Sequence, residues 1–170
     1  MFNVKKSVLA SILLTGMAVS AGANATPNAF VTWSGDVPTT NASDDLIITG
    51  FDGDIEALTG SLEPDTQGVF QTDILTLEAR TNDGDATAPI VGALTSANWS
   101  ILNPTVTYNN VSNPAQSVDV YINGAVVVPG DVVSGVETIS LQMGQTAELP
   151  EAEVSDTHVS ATVTVMADVV

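Results

Sequence analysis

The last thirteen residues constrain this chain more than any other stretch. In the run 158–170, Val159, Ala161, Val163, Val165, Ala167 and Val169 alternate with mostly polar residues, and a two-residue period sustained over that length suits an extended strand with one face buried. No helix can hold those six side chains on one side. Similar alternation recurs between turn signals along most of the chain, while a 3.6-residue period is hard to find beyond residue 25, so the expected fold class is all-β.

The alternation places strands over 45–51, 55–59, 69–79, 90–94, 98–102, 105–108, 117–122, 125–128, 136–143 and 158–169. Asn123-Gly124 between two apolar runs is the sequence of a type I′ hairpin, because both central residues of that turn need positive φ. Val118, Val120 and Ile122 then face the core, with Asp119 and Tyr121 outward. Within 69–79 the apolar parity changes, and a bulge or break near Thr72 would repair it. Pro64, Pro104, Pro114, Pro129 and Pro150 fall at or near strand ends, where a missing N–H costs no ladder bond.

Residues 1–25 read as a secretory signal: Lys5 and Lys6 form the basic region, 8–19 the apolar one, and Ala23-Asn24-Ala25 a cleavage site. The apolar stretch is shorter than the roughly 20 residues a membrane span requires. The expected mature chain is therefore one secreted domain with no membrane insertion, made of an extended arm over 26–38 and a sandwich over 39–170. It has no cysteine, so packing alone must hold it and thiol chemistry is excluded. Beyond residue 6 it carries one cation, Arg80, against 20 carboxylates, a net charge of −19 for the cleaved chain. That surface repels nucleic acid and anionic headgroups.

Catalytic patterns are absent. His158 is the sole histidine, and although Asp156 and several serines lie near it, no G-x-S-x-G elbow accompanies them. The expectation is a non-enzyme without cofactors, with His158 exposed at a strand end. Asp52-Gly53-Asp54 and Asp83-Gly84-Asp85 hold closely spaced carboxylates and are weak candidates for a cation, but neither completes a calcium loop. Acidic turns, in which Asp and Gly take up unusual φ values, account for them. Trp99 shares parity with Ile101 and belongs in the core. Trp33 stands in the arm, ahead of the first core strand, with no evident partner in its own domain.

The arm Ala29-Phe30-Val31-Thr32-Trp33-Ser34-Gly35, with Ala29, Val31, Trp33 and Gly35 on one side, together with the terminal strand 159–169, resembles the donor strand and last strand of the chaperone–usher pilins, the major subunits of surface fimbriae. It is most similar to their cysteine-free common-pilus type. Many pilins carry a cysteine pair near the first strand and an aromatic penultimate residue; this chain has no cysteine and ends Asp168-Val169-Val170. The resemblance implies an incomplete immunoglobulin-like sandwich completed by a donated strand. It also implies identical subunits, a periplasmic chaperone and an outer-membrane usher as partners, export through the periplasm to the cell surface, and an acceptor groove walled by Val159, Ala161, Val163, Val165 and Ala167. With no lysine beyond position 6, any fibre must form without isopeptide bonds. The residues also admit a second reading, a monomeric secreted sandwich that binds carbohydrate through Trp33 or Trp99.

Overall fold

A computed structural model describes residues 31–35, 42–55 and 58–170, with only the backbone of 31–35. The signal segment, Ala29 and the join between arm and sandwich lie outside the described residues. Twelve strands are described: β1 Val31–Gly35, β2 Leu46–Gly50, β3 Leu58–Leu62, β4 Phe70–Gln71, β5 Leu75–Asn82, β6 Val91–Leu94, β7 Ala97–Tyr108, β8 Val118–Ile122, β9 Ala125–Val127, β10 Val133–Val136, β11 Thr138–Gln145 and β12 Val159–Val169. One short helix, α1 Glu151–Val154, precedes β12. The fold is all-β and every ladder is antiparallel.

The large sheet runs β2-β5-β11-β8-β9, with β4 beside β11 and β6 beside β5, and the small sheet runs β10-β7-β12. Facing side chains from both fill a shared core. Leu77, Ala79, Ile139, Leu141 and Met143 come from the large sheet, and Trp99, Ile101, Val106, Val159 and Ala161 from the small one. Each is 5% exposed or less, the interleaved filling expected of a sandwich.

Thr72 divides β4 from β5, as the parity change requires. Its amide donates to the Met143 carbonyl at 2.9 Å, and its hydroxyl accepts from the Met143 amide at 3.0 Å. The side chain thereby stands in for the ladder it interrupts. At the Asn123-Gly124 turn the φ values are +52° and +78°, the left-handed pair that a type I′ hairpin needs.

Besides the strand expected over 55–59, which lies at Leu58–Leu62 as β3, two expectations about strand boundaries are corrected. The expected strands at 98–102 and 105–108 are one strand, β7, which passes through Pro104. Thr162 pairs with Thr105 and Thr164 with Leu102, so Asn103 and Pro104 together face Val163. This is a β-bulge; Asn103 takes φ +48°, and proline fits because the ladder is interrupted there. The bulge also switches the core-facing parity of β7 from Trp99 and Ile101 to Val106 and Tyr108. In the second correction, 136–143 is split at Glu137. The chain leaves the small sheet after β10 and enters the large one as β11, and the Glu137 carbonyl accepts from the Ala79 amide at 2.8 Å. Trp99 guards the crossing, its indole N–H donating to the Val136 carbonyl at 2.9 Å.

Candidate strand-acceptor edge

β12 is the edge of the small sheet: β7 pairs along one side, and no ladder forms along the other among the described residues. Its alternation produces the expected inward row. Val159 and Ala161 are each 2% exposed, while Val163, Val165 and Ala167 are half-buried against the core. Val169 is exposed. The apolar face is therefore sealed at the start of the strand and opens toward its end.

Beside that edge runs β1, which pairs with β3. β3 bonds the segment between β4 and β5, where Leu62 bridges Thr72 and the Asp73 amide donates to the Ser61 carbonyl at 2.9 Å, and Leu58 at its start packs against Gly50 of β2. Its remaining backbone groups pair with β1, with Val31 opposite Leu62, Trp33 opposite Gly60 and Gly35 opposite Leu58. The backbone of β1 also comes within 8 Å of β12. Three of the four residues expected to act as a donor strand thus form a strand beside the expected acceptor edge, but of the same chain. The sequence offers the arm no partner within its own domain; tertiary structure offers β3, whose backbone groups would otherwise be an open edge.

The other singled-out residues separate by environment. Trp99 is fully buried, which removes it as a sugar platform. His158 is exposed at the mouth of β12, and its backbone N–H donates to Asn109 Oδ1 at 2.8 Å. Asp85 Oδ1 accepts from the Thr87 hydroxyl at 2.6 Å and from the Thr87 and Ala88 amides at 2.8 Å each. These bonds, the hydroxyl first, hold the carboxyl below its usual range and commit it to its own turn. Asp83 accepts from the Thr81 hydroxyl at 3.1 Å. Among the described residues, no group of three or more His, Asp or Glu is placed to hold a metal ion.

Asp52 and Gly53 lie in a short 3-10 turn, at φ +58° and +77°, anchored by two residues that sequence reasoning passed over. The Glu78 carboxylate accepts from the Asp52 and Gly53 amides at 3.0 and 3.1 Å, and Arg80 Nη2 meets it at 2.7 Å. Arg80 also donates to the Gly92 carbonyl at 3.2 Å. Burial raises the Glu78 pKa, but the Asp52 amide, the Arg80 guanidinium and the Gly53 amide together lower it further, so it ends below the usual carboxylate range. A signal was available: Arg80 is the only cation beyond residue 6, and its carboxylate neighbour two positions away shares its face of a strand.

No family model, curated protein or solved structure matches the chain.

Proposed function

We propose that this chain is the structural subunit of a surface fibre of the chaperone–usher type, a fimbrium used for adhesion or biofilm formation, and that it polymerises without covalent links. In the fibre, the 26–38 arm of one subunit takes the place beside β3 and β12 that its own β1 holds in the single chain. The observation carrying this reading is the combination at β12: one edge without a ladder among the described residues, an apolar row that opens from Val163 onward, and a strand made of the arm beside it. Exchange of an identical element between copies needs no new contacts. Its main-chain bonds supply affinity and its alternate side chains supply fit, as in the strand-donation mode of peptide recognition, of which chaperone–pilin pairing is a known instance.

A periplasmic chaperone would occupy the same edge before assembly, and an outer-membrane usher would organise export. The resemblance in the arm and the last strand supports both partners. The test is Trp33→Asp. A carboxylate forced into an apolar site costs several kcal/mol, so the variant should be made but should yield no fibres, whereas Trp33→Phe should still polymerise. Fibres of normal length and abundance from Trp33→Asp would refute strand exchange through this arm.

A further inference from the structure

The carboxylates are unevenly placed. Of the 20 in the chain, β7, β10 and β12 hold one, Asp168. Alternation aims Trp99, Ile101, Val106, Val159 and Ala161 into the core, so the intervening residues form the outer face of the small sheet. Ser100, Thr105, Thr107, Ser160, Thr162 and Thr164 line it in cross-strand rows, with Thr162 opposite Thr105 and Ser160 opposite Thr107. Leu102 and Met166, 39% and 37% exposed, stand among the hydroxyls. The outer face of the large sheet is charged by comparison: Asp119 lies on it, and the 51–54 turn that covers the Glu78–Arg80 pair presents Asp52 and Asp54, both exposed.

From this we infer that the outer face of the β10-β7-β12 sheet is the surface by which a second copy of the chain packs laterally, sheet face to sheet face. Charge selects the occupant. Two chains each carrying one cation and 20 carboxylates beyond residue 6 repel wherever carboxylates meet, and a broad face almost free of them offers an approach without that repulsion. Hydroxyls make the face self-complementary, because each Ser or Thr both donates and accepts, so identical faces related by a two-fold axis can satisfy one another. A sugar is the weaker fit: among the described residues this face presents no aromatic platform, since Trp99 and Tyr108 of β7 point inward and are buried.

Three strands at the usual spacing, crossed by five rows of outward side chains, cover roughly 400 Å² on each partner. A standard interface buries about 800 Å² per partner, so one such contact is weak. Repeated along two fibres it gains by multivalency, on the order of 10² to 10⁴ in overall affinity. The fibre part of this inference rests on the strand-exchange reading; the contact between faces does not.

The chain's lack of cysteine makes the test clean. Thr162→Cys and Thr164→Cys on this face, and Thr138→Cys on the outer face of the large sheet as control, are oxidised mildly in soluble subunits and in fibres, in about 0.15 M NaCl, where the Debye length is about 8 Å and repulsion between charged faces still acts. The face variants should give reducible dimers in about tenfold excess over the control, given that like-charge juxtaposition penalises the charged face. In fibres, Thr162→Asp combined with Thr164→Asp should abolish side-by-side bundling and leave fibre length unchanged. Equal dimer yields at all three positions, or bundles that survive the double Asp change, would overturn the inference. Cross-linked face variants in a protein that forms no fibres would leave the face standing and refute strand exchange instead.

Discussion

Arg80→Met should be among the most damaging substitutions outside the apolar core, and its effect should depend on pH. The Glu78 and Arg80 side chains are 6% and 17% exposed and meet at 2.7 Å. Removing one partner of a buried pair costs about 3–5 kcal/mol, because the other charge is left uncompensated. Here the Asp52 and Gly53 amides still donate to Glu78, which places the expected cost at the lower end, about 3 kcal/mol at pH 7. For a domain of this size that corresponds to a drop in Tm of roughly 6–12 °C. The Glu78 pKa is lowered in the folded state, so its stabilisation is fully present above the unfolded value of about 4.3 and is lost as pH falls through the folded one. In the variant the uncompensated carboxylate can take up a proton in acid, so the gap to the parent should narrow between pH 7 and pH 3. Urea unfolding of the isolated subunit across that range, followed by tryptophan fluorescence, measures it. A gap below about 1 kcal/mol at pH 7, the worth of an exposed pair, or a gap unchanged at pH 3, would show that the pair does not hold the 51–54 turn.

Val163→Lys places a charge in the half-buried row of β12, opposite the Asn103-Pro104 bulge, and should lower the periplasmic level of the subunit and stop polymerisation; an unchanged level with normal polymer would count against β12 as the acceptor wall. Tyr108 is buried, and its hydroxyl donates to the Gly68 carbonyl at 3.0 Å. Burial, and then the charge of Asp65, push its pKa up to about 12. Its contribution to stability is complete below pH of about 10 and is lost as pH rises through about 12, so Tm should fall over that interval and Tyr108→Phe should lack that share of the fall. Fibres in low salt should stay intact but separate laterally, and millimolar calcium should bundle them more than a monovalent salt of matched ionic strength, since exposed like charges act over a Debye length of about 30 Å at 0.01 M; light scattering with microscopy reads both effects, and fibres that fall to monomers on desalting would refute the apolar strand contact.

The strictly local features of this protein were legible in its sequence. The all-β class, the inward row of β12, the Asn123-Gly124 hairpin and the break at Thr72 follow from side-chain parity and φ preference, which act over a few residues and need no knowledge of the rest of the chain. The buried Trp99 was legible for the same reason. Features that depend on which strands become neighbours were not. The sequence marks a stop at Pro104, and only the pairing of β7 with β12 turns that stop into a bulge within one long strand. In the run 136–143, Ile139, Leu141 and Met143 share a side that Val136 does not, but only the pairing shows why: the run is divided at Glu137 because its two parts belong to different sheets. Glu78 and Arg80 look like solvated residues of an acidic chain until β5 carries them beneath the 51–54 turn, where burial makes each necessary to the other. The arm was legible as a strand, but its partner was not: hydrogen-bond ladders join residues distant in sequence, and no local pattern specifies whether Val31–Gly35 lies on its own β3 or on that of a neighbour.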